Sequence, residues 1–447
     1  MTPQEWLNKL ATRLDYRAGR VALLRSYMDG HAPLPEGAEG CRDAYAKFQR
    51  KARTNFGELV VEAVAERMVV SGFRAGVSQD DDDEARRVWK RSRMGAGSSD
   101  VHRDMLGMSV GYVMASGNPG AAVLTWERPE QVVIEPDPLR PGVAQAGLKV
   151  FRSTATDYAF VHIPGLVSVF TRPSFDLDHG QKTSRLHARD RWEPAGEAET
   201  GLSFVPIWEF ENRKGLGEFE THTDVLDRIN WGILQRLVIT AMQAYRQRAV
   251  KGELPSEDAN GKEIDYAEVF RPGPGSLWEL PDGVELWESQ LADLTPILSA
   301  VKDDVTHLAA VTRTPMATLI PDSANQSAEG AAFAKEGLIF KAQDRIERAA
   351  WDVAMGGALA IERGQRDLVE DVATVWLPPE RQSLAERADA ASKAQDFPWR
   401  ERMEKIWQQP AAEVDRMESQ RAQDMLQAAA LIPVPSPGPG VTDVQAG

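Results

Sequence analysis

Gly107-Met108-Ser109-Val110-Gly111 is the stretch of this sequence that matches a catalytic pattern, the Gly-x-Ser-x-Gly elbow that raises a nucleophilic serine in α/β-hydrolases. An elbow needs a strand before the serine and a helix after it. The order here is reversed, because the spacing predicts a helix from Ser99 to Met108 and a strand from Val110, with no βαβ rhythm around them. Ser109 therefore reads as a helix-to-strand turn, and a serine hydrolase stays only as an alternative. The seven histidines (31, 102, 162, 179, 187, 222 and 307) contain no His-Glu-x-x-His or equivalent pair, so His222 reads as a packed or capping residue rather than a ligand. The five consecutive acids Asp80 to Glu84 cannot converge on one cation as alternate ligands do, and read as a solvated loop. No Gly-Lys-Ser/Thr follows a glycine at P-loop spacing, which excludes a P-loop ATPase. The single cysteine, Cys41, rules out an internal disulfide and a cysteine zinc site. No catalytic residue, no metal ligand and no cofactor is assigned.

At 447 residues the chain has material for about three average domains. With 42% hydrophobic and 27% charged residues it has the composition of a folded globular protein. The net charge of −15 argues against tight neutralisation of nucleic-acid phosphates, which draws on Lys and Arg. It is compatible with a surface that DNA slides past. The apolar run from Leu106 to Trp126 has nearly membrane-spanning length, but Gly117-Asn118-Pro119-Gly120 cuts it into a hairpin, so no transmembrane segment is expected.

These residues sit in a chain whose grammar changes twice. Thr2-Pro3-Gln4-Glu5 reads as a capping box opening a helix to about Asp29, and no signal peptide. A second helix opens at Asn55 and closes by Gly72, a third piece runs through Trp89, and a fourth ends at Met108. From Val110 to Phe210, short apolar runs alternate with Gly, Pro and Asp turns, the pattern of an antiparallel β region. Residues 172–201 read as a polar loop or poorly ordered hairpin. A long helix is then expected over 218–250, with Glu218, Glu220, Asp224 and Asp227 at its start and Arg246, Arg248 and Lys251 at its end. Leu277–Leu280 and Val284–Trp287, around Pro281-Asp282-Gly283, predict a hairpin within the insert that follows. Thr295-Pro296 opens another helix and Thr314-Pro315 stops it. A small-sided helix starts near Ser327, with Gly330 and Gly337 as expected kink sites, and ends near Gly364. Helices over 383–428 break at Pro398 and Pro410, and the Pro-rich end after 430 is expected to be extended.

The order of several short segments resembles the portal proteins of long-tailed bacteriophages over most of residues 1–425. The segments are Tyr27-Met28-Asp29-Gly30, Asn55 with Glu66-Arg67-Met68 and Val70–Phe73, Trp89, Ser99–His102 and Gly111-Tyr112-Val113. Asp137-Pro138, Val205-Pro206-Ile207, Asn212, Gly215 and Gly217, Gly275–Trp278, Thr314-Pro315 and Asn325–Glu329 follow in order. The resemblance implies an α+β, mainly helical portal fold. Its parts would be a wing (1–217) holding the β region, a stem helix (218–250), a clip insert (251–290) and a second stem helix (291–312). A tunnel loop (313–326), a kinked wing helix and return (327–377), crown helices (378–430) and a disordered tail (431–447) would complete it.

It also implies a structural, non-enzymatic role: a ring, typically of twelve copies, at one capsid vertex, conducting double-stranded DNA during packaging and ejection. The partners implied are further copies of the chain, the DNA, the terminase large subunit, the major capsid and scaffold proteins and the head–tail adaptor, with no membrane. The location implied is the virion, with the host cytoplasm during assembly. On this resemblance Arg313, Thr314, Pro315, Met316, Asn325, Gln326 and Lys335 would lie on the DNA channel, and Trp278, Asp282 and Trp287 would meet partners at the clip. Another phage head component is the alternative.

Overall fold

The computed structural model describes residues 1–35, 43–76, 82–153, 155–173, 192–244, 248–257, 261, 263–266, 270, 283–288, 290–320, 328–380 and 384–430. Helix α1 (Pro3–Met28) opens with the expected capping box: the Thr2 hydroxyl accepts from Glu5 N, and the Glu5 carboxylate accepts from Thr2 N. Its first half lays Trp6, Leu7, Leu10 and Leu14 over a sheet, while its second half puts Val21, Leu24, Tyr27 and Met28 into a separate helical core. One helix thus ties two cores together.

The sheet under the first half is five-stranded and antiparallel, β4-β5-β6-β7-β8. Its strands are β4 (Val132–Asp137), β5 (Arg140–Ser153), β6 (Thr156–Ile163), β7 (Leu166–Pro173) and β8 (Glu193–Glu199). Strand β8 falls in the stretch read as a polar loop; every residue of it is exposed, so the ladder to β7 holds it without a buried face. A three-stranded sheet, β3-β2-β9, joins β2 (Val110–Ser116), β3 (Val123–Glu127) and β9 (Ile207–Glu211). The β2–β3 hairpin turns at the expected Gly-Asn-Pro-Gly, with Gly117 and Gly120 both in the positive-φ region.

The helical core gathers α3 (Phe56–Ala65), α4 (Asp83–Arg91), α5 (Met94–Met108) and α10 (Trp351–Glu362) around the fully buried Trp351. The Trp351 ring lies 5.0 Å from Trp89 and 4.9 Å from Phe210, both edge-on, the arrangement ring quadrupoles favour. Its Nε1–H donates to His102 Nε2 at 2.8 Å. Gly72 does not end a helix as expected. It lies inside β1 (Val70–Ala75), which pairs with β12 (Val372–Trp376) some 300 residues later; periodicity in one segment cannot reveal so distant a partner. The acids Asp82 and Glu84 are not simply solvated. Asp82 caps α4 by accepting from Ala85 N, and both carboxylates face Arg363.

The long helix expected over 218–250 is shorter. Two 3₁₀ turns (Arg213–Gly215 and Glu220–His222) precede α6 (Thr223–Ala244), and Arg248–Lys251 is strand β10. β10 pairs with β11 (Glu285–Glu288), placing Trp287 opposite Ala249. The expected hairpin partner Leu277–Leu280, with Trp278 and Asp282, lies outside the described residues. α7 (Thr295–Thr312) is antiparallel to α6, with Arg228 against Asp304 near one end and Gln243 donating to Ala292 O near the other. After the short α8 (Met316–Leu319) comes α9 (Ala328–Arg348). It is one continuous helix through Gly330 and Gly337 and ends at Arg348, before Ala349-Ala350 and α10. Helix continuity there follows from backbone hydrogen bonding, which glycine permits. The C-terminal helices α11 (Leu384–Lys393), α12 (Trp399–Glu401, continued by a π turn over Arg402–Ile406) and α13 (Ala411–Ala430) break at Pro398 and Pro410 as expected.

Burial pushes the His102 imidazole down to about 3. An imidazole held neutral in the fold but titrating near 6.5 when unfolded gives stability that is complete above pH 6.5 and is lost as the pH falls. His162, pushed down to about 4 by burial and by Lys149, adds in the same direction. Urea unfolding should therefore weaken from pH 7 towards pH 5, approaching about 1.4 kcal/mol per unit for each group. His102→Gln, which keeps an acceptor for Trp351, should remove that residue's own share of the slope, about 1.4 kcal/mol per unit.

Candidate functional site

The residues expected to lie on a channel cluster where α7 ends. Thr312 and Thr314 join their hydroxyls at 2.9 Å, Thr314 N donates to Ala309 O, and Arg313 between them adopts the left-handed conformation at φ 53°. Pro315 then stops the chain from continuing as a helix. Arg313 is exposed. Thr314 (3% exposed) and Met316 (9%) are buried in the protomer. The neutral Thr-Pro-Met-Ala segment turns inward because Met316 and Leu319 of α8 are apolar and join the helical core. Pro315 is half-buried, and Asn325 and Gln326 lie outside the described residues. Lys335 is half-buried and 3.8 Å from the Glu380 carboxylate, a long and partly solvated pair of little strength. Trp287 is 55% exposed on β11 beside the exposed Leu286.

Behind Arg313 lies a charged cluster that the sequence reading did not pick out. Glu218 Oε2 is 2.7 Å from Lys341 Nζ, and its Oε1 accepts from Arg345 Nε at 2.6 Å and from Asn212 Nδ2 at 3.1 Å. Lys341 Nζ also donates to Thr312 O at 2.8 Å, so a buried ammonium caps the carbonyl end of α7. Burial alone would raise the Glu218 carboxyl, but Lys341 and Arg345 outweigh it and hold it below the usual range. Lys341 and Arg345 stand four apart on one face of α9, a spacing visible in the sequence. Nothing in the sequence pointed from them to Glu218, 123 residues before Lys341.

Glycines set the position of Glu218. A Cβ on Gly217 would sit 2.5 Å from Gly107 O, and Glu218 N donates to Leu106 O at 2.8 Å, so this segment docks directly on the end of α5. The hydrolase-like glycines thereby acquire a packing role. A Cβ on Gly107 would press on Met28 Sδ at 3.1 Å, and one on Gly111 would meet Val101 O at 2.6 Å. Ser109 between them is a buried left-handed C-cap whose carbonyl accepts from Asn212 N. His222, at the end of its 3₁₀ turn, is partly buried, and burial and Lys341 lower its pKa. Among the described residues no group of three or more His, Cys, Asp or Glu side chains is placed to hold a metal. No described helix is long and apolar enough to cross a membrane.

The family model of phage portal proteins of the SPP1 Gp6-like type matches residues 7–426. The chain belongs to this portal protein family. It is 24% identical over 369 residues to the portal protein of Mycobacterium phage D29, covering 76% of this chain and 72% of that protein. The portal protein of Mycobacterium phage L5 is 23% identical over 374 residues, covering 77% and 73%. The fold aligns with a chain from the neck of a native GTA particle computed with C12 symmetry at a TM-score of 0.45 and 13% identity, covering 86% of this chain and 97% of that one. The neck of an empty GTA particle computed with C6 symmetry gives 0.49 at 14% identity, with the same coverage. Portal proteins are structural, non-enzymatic components of the virion vertex that act as rings, and the mixed helical and antiparallel architecture here is of that kind.

Removing one partner of a buried, paired charge costs about 3–5 kcal/mol, because the remaining charge is left without compensation. Glu218→Ala should lose that much in urea unfolding, since Lys341 and Arg345 stay buried beside the gap. An effect below about 1 kcal/mol, the level of an exposed pair, would show that the cluster does not hold the junction.

Proposed function

We propose that the chain forms a closed ring of twelve copies through which double-stranded DNA passes during packaging and ejection. The observation that carries this reading is the family match across residues 7–426, and the paired helices α6 and α7 give it a physical basis. At 22 and 18 residues they are ~33 and ~27 Å long. They pack closely, with a Cβ on Gly232 meeting Val301 at 2.7 Å, yet Trp231 (49% exposed), Met242 (68%) and Leu298 (48%) remain on the surface. Exposed apolar side chains on a helix pair are what a neighbouring copy would cover. In this reading residues 1–217 form the wing, α6 and α7 the stem, and residues 313–326 the tunnel loop, with Arg313 on the channel. Residues 327–377 form the wing helix and return, and residues 378–430 the crown.

The insert 251–290 would be the clip. The β10–β11 ribbon at its base presents Leu286 and Trp287, an exposed apolar pair suited to anchoring a protein partner. The partners proposed are the terminase large subunit, the head–tail adaptor, and the major capsid and scaffold proteins during assembly in the host cytoplasm. Trp278 and Asp282 belong to this contact only by position in the sequence.

Light scattering and negative-stain electron microscopy of the purified chain should show a closed ring with a central hole wide enough for a duplex. Trp231→Glu combined with Leu298→Glu should reduce the particle to monomers of unchanged circular dichroism. Compact wild-type monomers that stay monomeric when concentrated with scaffold protein would overturn the reading.

A further inference from the structure

We propose that a cavity where the β2–β3 hairpin, the five-stranded sheet and the end of α10 meet receives the proline-rich segment 431–440 of a neighbouring copy. The source of the segment rests on the ring reading above; the preference of the cavity for such a segment does not. The cavity encloses about 500 Å³, within the ~300–1,000 Å³ typical of ligand sites. Leu202, Pro206 and Ile361 give it an apolar wall. Asn118, His162, Thr200, Gln365 and Arg366 line it and can each donate a hydrogen bond, whereas Glu199 is the one carboxylate among its described lining residues.

His162 sets the chemistry. Its Nδ1 is buried and has no hydrogen-bond partner among the described residues. Burial and Lys149 push the ring down to about 4, so it is neutral at pH 7 and Nδ1 can carry its single proton. A buried donor without an acceptor is costly, and a ligand carbonyl would satisfy it. α1 covers the face of the sheet that holds Ala159 and Val161 of β6. His162 lies on the other face, in line with Phe160 and Tyr158. Phe151 stacks on those two rings at 5.7 and 5.4 Å, and all three are half-buried, so an aromatic track leads from the cavity along the sheet.

A ligand suited to this site presents carbonyls and apolar rings but few N–H groups. Proline supplies that combination, because its nitrogen carries no hydrogen, and proline-rich segments dock on aromatic-lined grooves. The chain carries such a segment: residues 431–440 have Pro433, Pro435, Pro437 and Pro439 at alternate positions and no charged side chain. The helix leading into it favours another copy as the receiver. α13 is anchored near its start, where Val414 is fully buried and Arg400 holds Asp415 and Glu418. From Glu418 to Gln427 every residue is exposed, Met425 at 65% and Leu426 at 72%. This half of the helix therefore stands clear of its own protomer and carries the segment away from it.

The test uses the full chain with Pro433→Ala and Pro435→Ala, which leaves the cavity free, and a fluorescein-labelled synthetic peptide spanning residues 430–441. Anisotropy should show saturable binding. The peptide with the same two alanines should bind about tenfold more weakly, because each alanine restores an N–H that a donor-lined cavity leaves unpaired. Adding His162→Leu to the chain should weaken the wild-type peptide as much; should that variant fail to fold, Gln365→Ala with Arg366→Ala, both exposed, carries the same test. For the source, rings are assembled from two chains lacking the native thiol (Cys41→Ser), one with Val434→Cys and the other with Asn118→Cys. Mild oxidation should link them as dimers, and free wild-type peptide should suppress the link. A normally melting chain that does not bind the peptide would overturn the proposal and leave the ring reading standing. Binding indifferent to His162, Gln365 and Arg366 would place the peptide elsewhere, which is equally contrary. Mixed rings that bind the peptide but never cross-link would rule out the neighbouring copy as the source. A wild-type chain that forms no ring would sink the ring reading, while peptide binding would still decide the cavity.

Discussion

A carboxylate that is 4% exposed cannot be left unpaired, and much of this structure is arranged around satisfying one at Glu218. Lys341 and Arg345 come from α9, its amide is held by the end of α5, and Lys341 also reaches the Thr312 carbonyl at the end of α7. Four parts of the chain that are far apart in sequence therefore meet at one ion cluster. Apolar packing alone would tolerate some sliding of α9 over that junction. Directional hydrogen bonds to a buried charge do not, so the cluster fixes where Arg313 is displayed.

The rest of the wing region relies on a different device. α1 spans two hydrophobic cores, and on its surface Arg17 reaches Tyr112 Oη and the backbone carbonyls of Pro129 and Val132, while Lys9 and Arg13 share Glu135. One long helix with cations along one side joins the five-stranded sheet to the helical core, and Trp351 fills the centre of that core.

The hydrolase-like pentapeptide shows how a short pattern misleads. A Cβ on its glycines would press on Met28 Sδ and on Val101 O, and its serine is left-handed because α5 ends there. Both properties also belong to a nucleophile elbow, so the residue types alone could not separate the two cases. The order of the elements could, because it was legible from periodicity.

Capping chemistry and period are local properties, so they placed α1, the β2–β3 hairpin, the end of α7 at Thr314-Pro315 and the breaks at Pro398 and Pro410 correctly from sequence. The family was legible too, from the order of short segments, although identity to the D29 portal protein is only 24%. What the sequence alone could not decide were pairings and burial. The β1–β12 ladder, the β10–β11 ribbon, the inward turn of Met316 and the partners of Glu218 each join residues from distant parts of the chain or depend on which face is covered. The sequence therefore determined which elements exist and which family they build. Only tertiary structure decided which charges are paired inside the protomer, as at Glu218, Lys341 and Arg345, and which stay exposed, as at Arg313, since pairing depends on distances that no local pattern encodes.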